Sequence, residues 1–161
     1  EDPYKDGGVS INSNTVLSKN LSTPILVGEH VRNLETSVDM LVNGASFFSR
    51  ADPDYDGGIT GCHKLVVSSE GLGVDCEIHS CGPAMRQLMG ASRNSNFYEI
   101  NLLHPKCSNP WSLPIYLNEY SDEMNCIDKN GNVEVTDKPG LGIDYDWKYI
   151  QKKSLEKIVI K

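Results

Sequence analysis

The chain has 161 residues, 39% of them hydrophobic and 23% charged, a composition that excludes collagen-like and disordered proteins. Its formal net charge of -7, from 15 basic and 22 acidic residues, argues against nucleic acid as the main partner, because phosphate contacts need clustered Lys and Arg. The sequence has no apolar run of bilayer-spanning length and no recognisable signal peptide, so we expect a cytoplasmic protein without a membrane partner.

Short apolar runs alternate with helical patterns along residues 10–102. Helices are predicted at Ser10–Lys19, Asn33–Asn43, Ile59–Glu70 and Pro83–Ser92, and strands at Thr23–Val27, Ala45–Arg50, Val74–Ile78 and Phe97–Leu102. This alternation predicts an α/β fold whose sheet has about four parallel strands joined by crossover helices. The pattern alone fits half of a barrel and an open sheet equally well.

The character of the sequence changes after residue 105, where prolines become frequent and periodic stretches are few. We predict an edge strand at Val133–Thr136, a helix at Asp146–Lys153 and a final strand at Ile158–Ile160. The sequence therefore predicts a first domain over residues 1–105 and a C-terminal segment over residues 106–161.

The five cysteines indicate thiols in a reducing compartment, because their number is odd and their spacing irregular. They are Cys62, Cys76, Cys81, Cys107 and Cys126, and we predict no disulfide among them. Cys76 and Cys81 flank His79, but no second pair of Cys or His follows at zinc-ligand spacing, so a structural zinc site is not predicted.

Polar residues cluster at the carboxyl ends of the predicted strands: Glu29, Asp52 and His79 lie at the ends of the first three, and Glu99 lies within the fourth. In a parallel barrel these ends share one face, which holds the active site. Converging carboxylates favour a hard cation such as Mg²⁺, and an Asp beside a His favours a proton-transfer pair.

Each of these residues also has a structural interpretation that is favoured when the residue is taken singly. The alternatives are a helix cap for Glu29, a turn for Asp52, a core position for His79 and an ion pair with Arg50 or Arg93 for Glu99. The coincidence of four polar residues at four strand ends favours the functional interpretation.

Ordered motifs then indicate a family. Gly28-Glu29-His30, Asp52 with Asp56-Gly57-Gly58-Ile59-Thr60-Gly61, and Glu77-Ile78-His79 resemble the second half of the mandelate racemase-like enolase superfamily. Glu1-Asp2-Pro3 resembles the Glu-x-Pro that closes the fourth barrel strand, and Lys138 to Ile143 resembles the family's C-terminal Pro-Gly-Leu-Gly element. The resemblance implies the C-terminal half of a (β/α)8 barrel, from the end of strand 4 to strand 8, and a C-terminal extension with the last barrel helix and a strand returning to a capping domain.

The resemblance also implies roles for individual residues. Glu1 and Glu29 would be two of three carboxylate ligands of an essential Mg²⁺, with the third ligand upstream of Glu1. Asp52 and His79 would move the proton next to the substrate carboxylate, and Glu99 would hydrogen-bond that carboxylate as charge builds in the enediolate. His30 would add a contact to a polyol substrate, although an exposed loop position is an equal alternative.

The family's reactions leave several functions open. Tyr98-Glu99-Ile100 and the residues around Tyr120 and Trp147 resemble the acid-sugar dehydratase branch, which implies an aldonate or aldarate substrate. A racemase, epimerase or cycloisomerase of the same superfamily is an alternative, as is a noncatalytic α/β binding module. We expect the chain to be a fragment that is inactive alone, that binds Mg²⁺ weakly, and that forms homo-oligomers through its open sheet edges.

Overall fold

Helices and short strands alternate through the first part of the chain, as the sequence predicts. The structure is a computed structural model that describes residues 1–5, 8–100, 102–104, 106–110 and 112–160. It divides into two compact units, Glu1–Glu99 and Ile100–Lys161. The predicted domain boundary at residue 105 lies outside the described residues.

The described residues of the first unit form four helices and a sheet of three strands. The elements are α1 (Ile11–Asn20), β1 (Leu26–Val27), α2 (Leu34–Val42), β2 (Phe48–Ala51), α3 (Gly58–Gly71), β3 (Cys76–Ile78) and α4 (Pro83–Gly90). The strands are parallel in the order β1-β2-β3, with Val27 opposite Ser49 and Ala51 opposite Ile78. The predicted α/β class with parallel strands and crossover helices is therefore confirmed.

Local sequence explains where the helices begin. The Ser10 side chain accepts a hydrogen bond from Ser13 N at the start of α1, and the Asn33 side chain accepts one from Thr36 N at the start of α2. Each cap satisfies a backbone N–H that has no partner within its helix. Pro83 opens α4, where its missing N–H costs nothing.

Two apolar clusters pack the helices against the sheet. The larger joins β2, β3, α3 and α4 and contains Ala51, Cys62, Leu65, Val66, Cys76, Ile78, Met85 and Leu88. The smaller lies around β1 and α2 and contains Ile25, Val27, Val31, Met40 and Ala45. Both clusters fix the positions at which the strands end.

The prediction of a fourth strand at Phe97–Leu102 is wrong for its described residues, since none of residues 97–100 and 102 is in a strand, while residue 101 lies outside the description. Hydrogen bonds that involve side chains hold this segment, where hydrogen bonds between strand backbones were expected. The Glu77 carboxylate accepts hydrogen bonds from Asn96 N at 3.0 Å and Phe97 N at 3.2 Å, and Gly82 N donates to the Tyr98 hydroxyl. The segment nevertheless places Glu99 beside the sheet.

The second unit has little regular structure. It contains a 3₁₀ turn at Met124–Cys126 and a helix, α5 (Trp147–Lys153), where a helix was predicted. The predicted strand at Val133–Thr136 is reduced to one antiparallel bridge between Ile127 and Val133. The predicted strand at residues 158–160 is not found either, and these side chains are exposed, so no strand partner covers them. Among the described residues, none of the helices has both the length and the apolar character that crossing a membrane requires.

Candidate active site at the strand ends

Asp52 and His79 form a hydrogen-bonded pair at the carboxyl ends of two neighbouring strands. Asp52 directly follows β2 and His79 directly follows β3, so the parallel register of these strands places the two residues side by side. His79 Nδ1 lies 2.5 Å from Asp52 Oδ2. Asp52 is 3% exposed, while 20% of the His79 side chain remains accessible. The imidazole can therefore meet a ligand while its carboxylate partner is shielded.

Backbone groups hold the Asp52 side chain in place. Asp54 N donates to Asp52 Oδ1 at 2.7 Å, so both carboxylate oxygens have donors. Asp52 N in turn donates to Asp56 Oδ2 at 2.8 Å. The turn considered as the structural alternative for Asp52 therefore exists, and it orients Asp52 toward His79.

The pair changes the basicity of the imidazole. The pKa of His79 is raised above its usual range, chiefly by the hydrogen bond to Asp52, while burial and the Arg50 charge act in the opposite direction. An ionised Asp52 that accepts the Nδ1 proton leaves the lone pair on Nε2. The pKa of the Asp56 carboxyl is also raised, chiefly by burial; the hydrogen bond from Asp52 N lowers this pKa, and the charge of Asp52 raises it.

Glu29 lies on the other side of the imidazole. Its Oε2 atom is 3.7 Å from His79 Nε2, too far for a hydrogen bond but close enough for electrostatic attraction. Glu29 also belongs to a group with Asp2 and His30, whose potential ligand atoms all lie within 4.8 Å of one another. Asn33 caps α2, so the cap suggested as an alternative for Glu29 is filled by another residue.

A divalent cation fits this group. Asp2 Oδ2 is buried and has no hydrogen-bond partner among the described residues, which leaves a carboxylate oxygen to be satisfied by something else. Asp2 N donates to Leu26 O at 3.0 Å, which fixes the residue beside the end of β1. Two carboxylates and an imidazole are suitable ligands for a divalent ion, although the imidazole suits transition metals better than Mg²⁺.

Arg50 is a buried cation on β2 that pairs with two carboxylates. Its side chain is 5% exposed, and Nη2 lies 2.8 Å from Glu1 Oε1 and also contacts Glu99 Oε1. Ser80 N donates to the second Glu99 oxygen at 2.5 Å. Of the two ion pairs considered for Glu99 from sequence, the structure contains the one with Arg50.

Gly28 allows Arg50 to lie this close to the end of β1. A Cβ atom built on Gly28 would lie 2.5 Å from Arg50 Cβ, a separation that real side chains do not reach. The Gly28 that begins the Gly-Glu-His motif is therefore explained by close backbone approach.

The structure thus places all six residues singled out in the sequence at the strand ends: Glu1, Glu29, His30, Asp52, His79 and Glu99. Glu1 is at the same end but pairs with Arg50, and Asp2 joins Glu29 in the group of potential ligands. Sequence reasoning missed Asp2 and Ser80 as members of the site, and it named Arg50 only as one of two possible ion-pair partners of Glu99. The alternation of side chains along β2, with Arg50 two residues before Asp52, was the available signal for Arg50.

The fold and the site define an α/β protein with a hydrogen-bonded Asp–His pair and further carboxylates at the carboxyl ends of parallel strands. The sequence pattern of the enolase C-terminal domain-like family matches residues 1–149. The chain therefore belongs to this family, in agreement with the resemblance noted from the motifs. A comparison with the sequences of curated proteins finds no significant match.

Solved structures of the same superfamily are similar in fold. D-glucarate dehydratase from Agrobacterium tumefaciens, complexed with magnesium, is 28% identical with a TM-score of 0.76, over 89% of this chain and 36% of that one. L-talarate dehydratase from Polaromonas sp. JS666, complexed with Mg and L-glucarate, is 20% identical with a TM-score of 0.66, over 91% of this chain and 36% of that one. An enolase from Bradyrhizobium, complexed with magnesium and mandelic acid, is 18% identical with a TM-score of 0.68, over 89% of this chain and 36% of that one. The chain thus spans about a third of the length of these proteins.

Proposed function

We propose that the chain is the C-terminal barrel portion of a Mg²⁺-dependent acid-sugar dehydratase-like enzyme that removes the proton next to a substrate carboxylate. The observation that carries this proposal is the Asp52–His79 pair, with Glu29 facing the same imidazole. Family membership supports proton-abstraction chemistry in general, and the similarity to D-glucarate dehydratase supports the dehydratase branch in particular.

His79 is the proposed base. Its Nδ1 is bonded to Asp52, so Nε2 is the nitrogen that can take a proton from a ligand. Asp52 fixes the ring and stabilises the imidazolium that forms, much as a carboxylate supports the histidine of other acid–base pairs. After proton removal, the same imidazolium can donate a proton to a leaving hydroxyl, which would complete a dehydration.

Glu29 and the neighbouring Glu1 or Asp2 are the proposed metal-holding residues on this chain. A bound Mg²⁺ would stabilise the negative charge that develops on the substrate carboxylate when the proton leaves. Arg50 pairs with Glu1 in this structure, so the ligand set of this chain includes Glu1 only if that ion pair opens. With the third family ligand expected upstream of Glu1, we predict weak Mg²⁺ binding and no turnover by these residues alone.

Mg²⁺ titration by calorimetry tests the metal part of this proposal. Glu29→Gln should abolish the binding heat, because an amide oxygen replaces a charged ligand. His79→Asn is the matched control, since it changes the base without removing a carboxylate, and it should leave the Mg²⁺ affinity nearly intact. Equal binding by the wild-type chain and Glu29→Gln would contradict the assignment of Glu29.

A further inference from the structure

Glu77 is a buried acidic residue to which the proposed function gives no role. It lies on β3 opposite Arg50, and it is 9% exposed. Side chains two residues apart on a strand point to the same side of the sheet, so Glu77 shares the side of β3 on which His79 lies. Burial of a polar side chain is costly unless hydrogen bonds satisfy it, so the partners of Glu77 indicate what this residue does.

Three hydrogen bonds connect the Glu77 carboxylate to the segment that follows α4. Its Oε2 accepts from Asn96 N at 3.0 Å and from Phe97 N at 3.2 Å, and its Oε1 accepts from Asn96 Nδ2 at 2.8 Å. In a parallel sheet, the backbone carbonyls of a neighbouring strand would take such N–H groups. The position of the segment beside β3 therefore depends on one side chain, and a substitution at residue 77 can change it.

This attachment lies two residues before Glu99. An extended chain advances at most about 3.6 Å per residue, so the backbone of Glu99 stays within roughly 7 Å of that of Phe97. One Glu99 oxygen pairs with the Arg50 guanidinium, and the other accepts a hydrogen bond from Ser80 N at 2.5 Å. Both contacts require the segment to stay beside β3, where Glu77 holds it.

We propose that Glu77 is a positioning residue that holds the segment after α4 so that Glu99 reaches Arg50 and Ser80 N. This inference deepens the proposed function and rests on it for the role of Glu99, which the family resemblance implies is a contact with the substrate carboxylate. Glu77 contacts no ligand in this proposal and acts only through Glu99.

NMR of the isotopically labelled chain tests the positioning directly. The reporter is the Ser80 amide proton, and Glu99→Ala defines its chemical shift when the acceptor is absent. Glu77→Met keeps the length of the side chain and removes both oxygens, so it should move the Ser80 amide signal toward the Glu99→Ala value. Glu77→Gln keeps an oxygen that can accept from the two backbone N–H groups, so the signal should stay near its wild-type position.

Asp75→Ala is the matched control. The Asp75 carboxylate contacts the same segment, but it accepts from the side chain of Asn96, at 3.0 Å, and not from the two backbone N–H groups that Glu77 binds. Its removal should therefore leave the Ser80 amide signal at its wild-type position. An unmoved Ser80 signal in Glu77→Met, or an equal movement in Asp75→Ala, would contradict the proposal.

The His79 amide separates the position of the segment from the stability of the sheet. It donates to Ala51 O at 2.8 Å, so its signal reports on the pairing of β2 with β3. Movement of this signal as large as that of the Ser80 amide in Glu77→Met would show that Glu77 stabilises the sheet and would overturn the proposal.

The Glu77→Met variant is expected to fold, because Phe97 is 76% exposed and water can solvate the released segment. If this variant does not fold, Glu77→Asp decides the question. Its carboxylate is one methylene shorter and cannot keep both backbone hydrogen bonds, so the Ser80 amide signal should move part of the way. A Ser80 signal identical to that of the wild type would contradict the positioning role.

Proton exchange in a protein extended upstream through the remaining barrel strands tests the functional part. With D-glucarate and Mg²⁺, Glu77→Met should lower the rate of exchange next to the substrate carboxylate by roughly tenfold or more, because small misplacements of a contacting residue have large effects on rate. Glu77→Gln should recover most of that rate, and the Mg²⁺ affinity should be unchanged in both variants. A full exchange rate in Glu77→Met would contradict the role through Glu99. If the extended wild type gives no exchange, the proposed function fails, while the Ser80 amide shifts still decide whether Glu77 positions the segment.

Discussion

The imidazole of His79 is oriented by Asp52, whose Oδ2 lies 2.5 Å from Nδ1. Because this bond is the largest cause of the raised His79 pKa, Asp52→Asn should lower the pKa of His79. NMR titration of the His79 ring signals measures the change. His63→Gln, a substitution on α3, is the control and should leave the His79 titration unchanged.

The same pair predicts how stability depends on pH. A histidine whose pKa is raised on folding contributes stability that is fully present below its usual value of about 6.5 and is lost as the pH rises through its folded-state pKa. Asp52→Asn should therefore cost more stability in mildly acidic than in alkaline solution. Urea unfolding at several pH values measures the free energy of unfolding of both proteins. If the difference between the wild type and Asp52→Asn grew as the pH rose, the prediction would be contradicted.

Gly28 should be intolerant of a side chain. Gly28→Ala forces a Cβ atom to within 2.5 Å of Arg50 Cβ, and overpacking of this kind costs about 1–3 kcal/mol. Gly71→Ala is the control, because no atom lies within 4 Å of the added Cβ there and the residue ends helix α3. Denaturant unfolding should show a clearly lower free energy of unfolding for Gly28→Ala and little change or an increase for Gly71→Ala. Equal stability of the two variants would show that the backbone moves to relieve the contact with Arg50.

The cysteines should react with thiol reagents in a graded order. Cys107 is exposed, whereas Cys62 and Cys76 are 0% exposed, and burial raises the pKa of Cys62 to about 12 and that of Cys76 to about 11. Since the thiolate is the reactive form, Cys107 should be labelled first, and the two core thiols only on unfolding. Mass spectrometry of partly labelled protein measures the order. Thiol counting under denaturing, nonreducing conditions should return all five, and a count of three or fewer would show that disulfides form.

Much of the first unit could be predicted because its signals are local. The caps at Ser10 and Asn33, Pro83 at the start of α4, and the apolar runs of the three strands are all visible in short windows. The positions of Glu29, Asp52 and His79 near one another could be predicted for the same reason, since parallel topology gathers strand ends at one edge.

The segment from Phe97 onward could not be predicted in this way. Its apolar and aromatic residues have strand propensity, but a strand also requires a ladder partner, and here the Glu77 carboxylate takes the N–H of Phe97. The choice of Arg50 rather than Arg93 as the partner of Glu99 was only partly visible in the sequence. The spacing of Arg50 and Asp52 puts both on one side of β2, but the contact with Glu99 depends on tertiary distance.

Exposed apolar side chains favour the predicted self-association. Val42 is 66% exposed, Val67 is 50% exposed and Phe47 is 47% exposed, all within the first unit. Exposed apolar side chains recruit partners where they form a patch, and open strand edges do the same. Sedimentation velocity should show species larger than the 17.8 kDa chain, and Phe47→Glu should shift them toward the monomer. A monomer at high concentration would contradict the prediction.

His79, oriented by Asp52, is proposed to remove the proton next to a substrate carboxylate. The most direct measurement is exchange of that proton of D-glucarate with solvent deuterium, followed by NMR in the presence of Mg²⁺. The chain by itself should give no exchange, whereas a protein extended upstream through the remaining barrel strands should give exchange that His79→Asn abolishes while leaving Mg²⁺ affinity nearly intact. Retention of exchange by His79→Asn in that protein would show that His79 is not the base and would contradict the mechanism.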